Sequence, residues 1–289
     1  MPGSIFRAGG TIGAYGVSRG PSSTYQSGSI VRVNTTSEIE YYHRKNFWPT
    51  TDGNITLLDN FTYYWDAATH YSYPPTGGSI WYDIGIGGSY LYKNNGTFAG
   101  NAVYNSDGGG SIFLDGTGDW ITTFPYSLGN AVNYRTVGMF FKPTATGSQG
   151  LIGNRNSSAT NTQGWSLMIN RTVNGQLNIV HCNATSTPTI DYAAGITTNT
   201  WYHVTYTYDK PNLDAYLYLN GTQVASNLNF AADASNPNFN GVIGNRSSDL
   251  GGPFTGYIGL VYIINSDSAV LSGANVTALH NLLKPRFGL

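Results

Sequence analysis

The sequence predicts an all-β protein: an antiparallel two-sheet sandwich of jelly-roll type, with an extended N-terminal arm and a short C-terminal helix. Three observations carry this expectation. Runs of alternating apolar and polar residues recur roughly every ten residues with turn chemistry between them, which is the spacing of sandwich strands. Glycine (37 residues), tyrosine (22) and phenylalanine (12) are abundant, as expected for tight turns joining strands with packed faces. Charged residues make up only 10 % of the chain, and low charge with many aromatics is the opposite of a disordered composition.

The 289 residues allow one or two domains. Residues 1–60 are the predicted arm or attachment region. Their first half is rich in Gly and Ser, one or two strands fit within 29–42, and the segment is too poor in apolar residues to bury a core. Residues 61–289 are the predicted sandwich domain. There, Val137 to Phe141 is an apolar run ended by Lys142-Pro143. Alternation puts Trp165, Leu167 and Ile169 on one strand face. It also puts Tyr202, Val204, Tyr206 and Tyr208 on one face and His203, Thr205 and Thr207 on the other. Ala215 to Leu219 alternates again and ends at Asn220-Gly221, a strong hairpin signal because both turn positions favour positive φ. Gln223-Val224-Ala225 is the returning strand. Tyr257 to Ile264 is apolar on both faces, which predicts a central strand covered on both sides. Ser272 caps a predicted helix with Val276, Leu279 and Leu283 on one face, and Pro285 ends it.

Several function classes are disfavoured. The net charge is −1, and the five lysines and nine arginines are scattered through the chain. Nucleic-acid binding needs clustered cations, so no nucleic-acid partner is expected. The start of the chain lacks the pattern of a signal peptide, and no apolar run is long enough for a membrane span. The single cysteine, Cys182, alternates with Val180 and reads as a small buried hydrophobe. Sequons such as Asn95-Gly96-Thr97 read as turns. Gly85 to Gly88 lacks the Lys-Ser/Thr of a phosphate loop. Ile152-Gly153-Asn154-Arg155 and Ile243-Gly244-Asn245-Arg246 repeat one tetrapeptide, read as a shared strand-end turn.

Several segments resemble the laminin-G-like, concanavalin A-like jelly roll. Trp201 to Asp209 is similar to that family's "W-x-H-V-A-x-T-Y-D" strand, and Leu217 to Gly221 to its "L-Y-V-D/N-G" hairpin. Phe254 to Gly259 resembles the late "F-x-G-x-I-D" strand, with Gly259 in place of the acidic residue. Ser111 to Ile121 resembles the early "F-D-G-x-x-D-Y-V" strand, with Leu114 in place of Phe. A longer series, Tyr64 to Ala68, Ser72 to Pro74, Gly77 to Asp83 and Asn95 to Thr97, resembles a subgroup seen in structural proteins of tailed bacteriophages. Asn281 to Gly288 is similar to that subgroup's "N-F-x-x-x-K-x-R-F-G" ending. The resemblance implies a virion protein, such as a capsid decoration, neck, tail or fibre component. It would meet other virion proteins and form a homo-oligomer, with a trimer as the expected state.

The same fold serves glycan-binding adhesins and carbohydrate-binding modules, so host-surface glycans are the alternative partners. Sugars stack on exposed aromatic rings, and the early tyrosines Tyr71, Tyr73, Tyr90 and Tyr92, near Tyr63 and Tyr64, are the candidates. No other cofactor is implied, but some laminin-G-like domains hold calcium through rim aspartates. Asp115 and Asp119 are the candidate calcium ligands, with Asp66, Asp83 and Asp249 as further loop carboxylates. Turn stabilisation is the competing role for Asp115 and Asp119, which bracket Gly116 and Gly118. No catalytic residue is expected. Retaining glycoside hydrolysis needs a close pair of carboxyl groups, and the only glutamates, Glu38 and Glu40, precede the sandwich. No Gly-x-Ser-x-Gly elbow occurs, and His203 reads as a packed histidine.

Overall fold

Alternation and turn chemistry build short strands in close succession. In the computed structural model the described residues are 61–289, apart from 70–71, 75–76, 86–94, 124–132, 156–162, 184–185, 231–239, 247–250 and 267. The predicted arm, with Glu38 and Glu40, lies outside them. The described strands begin with β1 (Tyr63–Asp66), β2 (Ile80–Trp81), β3 (Gly96–Ala99), β4 (Val103–Asn105), β5 (Ser111–Asp115) and β6 (Trp120–Thr122). They continue with β7 (Tyr134–Pro143), β8 (Gln149–Gly153), β9 (Gln163–Ile169), β10 (Gln176–Asn183) and β11 (Thr189–Ala193). The last are β12 (Tyr202–Asp209), β13 (Asp214–Leu219), β14 (Thr222–Asn227), β15 (Val242–Ile243) and β16 (Thr255–Ser266), followed by helix α1 (Gly273–Leu283).

These strands form two antiparallel sheets. Sheet one has the order β14-β13-β12-β7-β16-β5-β4, with β1 also paired to β16, and sheet two the order β11-β10-β9-β8-β15-β6-β3-β2. The predicted central strand is β16. It runs beside β7 along its length with a register shift between Ile258 and Leu260, while its other edge pairs first with β5 and then with β1. The inter-sheet core joins Trp165, Leu167 and Ile169 of β9 to Tyr202, Val204, Tyr206 and Tyr208 of β12, as alternation predicts.

The opposite face of β12 is also buried: His203, Thr205 and Thr207 are at most 1 % exposed. Tyr262 lies across this face, and Gly138 makes room for it, since a Cβ there would stand 2.0 Å from the Tyr262 ring. Phe140 stacks on both His203 and Phe287, each at 4.2 Å. The covering helix is α1, whose Ser272 side chain accepts the Asn275 N–H at 3.3 Å and whose Val276, Leu279 and Leu283 are buried. Burying each such side chain contributes roughly 1.5–3 kcal/mol. The hairpin forms as predicted, with Asn220 at φ 49° and Gly221 at φ 78°.

Pro285 does not end the structure. A 3-10 turn, Lys284–Phe287, continues from α1 and carries Arg286 back to the first strand. Arg286 donates to Asp66 Oδ1 at 2.5 Å and to the carbonyls of Gly108 (2.7 Å), Gly110 (2.6 Å) and Gly259 (3.1 Å). Beside this clamp, Lys142 pairs with Asp107, which also accepts from Trp201 Nε1 at 3.3 Å.

Candidate functional site

The tyrosines do not form an open stacking surface among the described residues. Tyr71, Tyr90 and Tyr92 lie outside the described residues. Tyr73 is only 7 % exposed, and its ring stacks against Phe98 (5.8 Å) and Tyr104 (5.3 Å) while its hydroxyl donates to the Gly78 carbonyl. Tyr63 and Tyr64 are buried in β1. These rings were needed for packing, which composition cannot distinguish from display. Among the described residues the exposed tyrosine rings are Tyr82 and Tyr104.

Asp115 and Asp119 act on the turn between β5 and β6. Asp119 is fully buried; its Oδ1 accepts from Asn101 N at 2.5 Å and its Oδ2 from Asp115 N at 2.8 Å. Asp115 Oδ1 accepts from Thr117 N at 2.6 Å. Short carboxylates holding backbone N–H groups define such turns. Among the described residues no three His, Cys, Asp or Glu side chains converge as a metal cluster. Asp66 serves Arg286, Asp83 Oδ1 accepts from Tyr64 N and Gly85 N, and Asp249 lies outside the described residues.

The outer face of sheet two holds a different arrangement. Met168 points away from the core and joins Val180 and Cys182 in a small buried apolar cluster. Above it is a cavity of about 360 Å³ lined by Met168, Arg155, Arg171 and Arg246 and by the hydroxyls of Ser148, Thr172 and Thr187. That volume falls within the usual range of ligand pockets. The dispersed arginines of the sequence are therefore gathered here by the fold.

Two of them come from the repeated tetrapeptide. β8 and β15 are antiparallel neighbours with Ile152 opposite Ile243, so both copies sit at strand ends in one sheet. Gly244, at φ 79°, turns the chain after β15. The 245–246 backbone then crosses Gly150 and Gly153. A Cβ at Gly150 would stand 2.0 Å from Arg246 N, and one at Gly153 2.8 Å from Arg246 O. The Arg246 side chain runs beside Gly251 and Gly252, where Cβ atoms would approach it to 2.6 and 3.2 Å. Asn154 and Asn245 are buried; Asn154 Oδ1 accepts from Trp165 N at 3.1 Å and Asn245 Oδ1 from Arg246 N at 2.8 Å. Arg171 follows β9 and makes a loose pair with Asp191 at 3.7 Å, both about one-third exposed. Such a pair contributes about 0–1 kcal/mol. The repeat was the sequence signal for Arg155 and Arg246; nothing in the sequence marked Arg171.

A second cleft, about 410 Å³, lies between the β13–β14 hairpin and α1, and its lining includes Gln223, Asn281, His280 and Lys284. Its inner wall is a neutral hydrogen-bonded network. His203 Nδ1 meets His280 Nδ1 at 3.2 Å, His203 Nε2 meets the Tyr262 hydroxyl at 3.1 Å, and Thr205 meets that hydroxyl at 2.7 Å. Burial, and then the neighbouring His280, hold the His203 pKa well below its ordinary value. Burial, and then Lys284, lower that of His280.

With the fold and these sites described, sequence comparison decides the family. The family described as the concanavalin A-like lectin/glucanases superfamily matches residues 115–276. The chain belongs to the concanavalin A-like lectin/glucanase superfamily. Solved members of this fold resemble it at low identity. The receptor-binding domain of botulinum neurotoxin type G is 14 % identical over 77 % of this chain and 51 % of that one, with a TM-score of 0.55. That of a botulinum neurotoxin C/D mosaic serotype is 16 % identical over 78 % and 51 %, also at 0.55. The CBM40 of a Ruminococcus gnavus IT-sialidase, bound to alpha2,3 sialyllactose, is 19 % identical over 59 % and 96 %, at 0.48. The chain spans about half the length of the toxin domains it resembles. No curated protein matches it.

Proposed function

We propose that this protein is a non-catalytic glycan-binding module that uses the arginine-lined pocket on the outer face of sheet two. The observation that carries this reading is the pocket itself. It combines an apolar base at Met168 with hydroxyl and guanidinium donors in one cavity of about 360 Å³, the combination that small-molecule sites share. The lectin side of the superfamily fits better than the glucanase side, because both glutamates of the chain precede the matched residues 115–276. Screening the full-length protein on a glycan array, followed by calorimetry of the hits, tests the reading. We expect hits whose binding is lost in Arg155→Ala; an array without hits rejects it.

A second reading is a virion structural protein of a tailed phage, found in the particle as a homo-oligomer with a trimer expected. One observation supports treating the phage-like motifs as a functional unit: the Tyr64–Ala68 and Asn281–Gly288 segments meet through Asp66 and Arg286. The two readings coexist if a fibre or decoration protein also touches host glycans. Light scattering of the full-length chain beside one lacking residues 1–60 tests assembly. An oligomer that becomes a monomer on truncation supports it, and a monomer in both cases counts against it.

A further inference from the structure

We infer that the pocket selects acidic saccharides, holding a sugar carboxylate or sulfate on Arg155 and Arg246 while ring hydroxyls meet Ser148, Thr172 and Thr187. This rests on the reading of the pocket as a glycan site and adds the class of sugar.

Three features point to an anion. First, three of the nine arginines line one cavity in a chain of net charge −1. Arg171 already makes a loose pair with Asp191 at 3.7 Å, and a bound anion would add attraction to the cations inside the cavity. A neutral sugar offers only hydroxyls, which need no such charge. Guanidinium groups match carboxylate and sulfate oxygens through paired N–H donors.

Second, a lining donor is left without an acceptor: Arg155 Nε is buried and makes no hydrogen bond. Buried polar groups are normally paired, and a bound anion would complete this one.

Third, the placement of Arg246 is built in. Gly150 and Gly153 leave room for its backbone, which a Cβ at either position would meet at 2.0 and 2.8 Å, and its side chain lies along Gly251 and Gly252. The repeated tetrapeptide thus delivers two arginines to one pocket from adjacent strands.

The test uses the full-length protein and calorimetry with three probes: an oligogalacturonate, the same oligosaccharide with its carboxylates methyl-esterified, and inorganic sulfate. A sulfated oligosaccharide and its desulfated form make a second matched pair, and a single-stranded RNA is the control polyanion. We expect at least one acidic form to bind about tenfold or more tighter than its neutral partner, as one charge-assisted contact would give. We expect free sulfate to bind far more weakly than that saccharide. The preference should fall toward unity in Arg155→Gln and Arg246→Gln. If Arg246→Gln fails to fold, Arg155→Gln carries the test, since its Nε holds no structural bond. Equal binding of acidic and neutral forms overturns the acidic selectivity and leaves the glycan reading standing. Neutral glycans bound with no acidic hit overturn it in the same way. Binding of sulfate or the single-stranded RNA as tight as any saccharide overturns the saccharide class. An unchanged preference in Arg155→Gln overturns the assignment to this pocket.

Discussion

Both oxygens of Asp119 accept backbone N–H groups, from Asn101 and Asp115, in a fully buried position. Removing the carboxylate leaves two N–H donors without partners, each costing about 1–3 kcal/mol. We therefore expect Asp119→Ala to lower stability by about 2–4 kcal/mol in urea melts, with Asp119→Asn milder because its amide oxygen still accepts. We also expect the melting temperature to be the same in calcium and in chelator, as follows if these carboxylates serve the turn. A calcium-dependent rise would favour Asp115 and Asp119 as metal ligands instead. At this scale the turn role of the aspartates was legible, because Asp115 and Asp119 bracket Gly116 and Gly118 in sequence. The role of Tyr73 was not. A tyrosine has the same composition whether its ring faces solvent or stacks on Phe98 and Tyr104.

Alternation along β12 gave a correct division of its side chains, but both faces are buried, one by sheet two and the other by α1 and Tyr262. The helix docks over the His203–His280–Tyr262 network, and this makes docking sensitive to acid. In the neutral pair one Nδ1 donates to the other at 3.2 Å, and protonating the accepting ring leaves two N–H donors facing each other. Both histidines have lowered pKa values in the fold, so between the unfolded value near 6.5 and the folded values the unfolded chain binds more protons. Their contribution is complete above about pH 6.5 and is lost as the pH falls toward the folded values. Lys284, beside His280, is a cation that opposes its protonation. Melting temperatures measured from pH 8 to pH 5 should be level at first and then fall. The double variant His203→Gln, His280→Gln should flatten that fall; an unaltered slope would assign it to other groups. The strand-end tetrapeptides are the other element worth following. Their repetition was visible, and their reading as a strand-end turn holds, yet their convergence on one cavity depended on β8 and β15 becoming neighbours.

Across the whole molecule, the closing contact joins residues at opposite ends of the described chain. Arg286 ties Asp66 of β1 to the Gly108, Gly110 and Gly259 carbonyls. The Asp66 side chain is only 6 % exposed and that of Arg286 18 %, so removing the arginine strands a buried carboxylate. We expect Arg286→Ala to cost about 3–5 kcal/mol. Asp66→Asn should cost less, because it keeps an acceptor and leaves three carbonyl contacts in place. Equilibrium unfolding of both variants measures this, and a loss below about 1 kcal/mol for Arg286→Ala would place the clamp among weak surface pairs. The same scale shows what overall charge leaves out. A net charge of −1 with dispersed cations describes the chain as a line, whereas the fold sets three arginines around one cavity.

The sequence by itself determined several of the principal strands, the Asn220-Gly221 hairpin, the capped final helix and the core-facing side of β9 and β12. These follow from local rules: side-chain period, turn stereochemistry and capping act over a few residues and leave their pattern in the chain. Only the tertiary structure decided which polar residues meet. The Arg155–Arg246 pocket, the His203–His280 pair and the Asp66–Arg286 clamp each join residues far apart in the chain. Their proximity comes from strand order and from glycines that let backbones approach, and no local period records either.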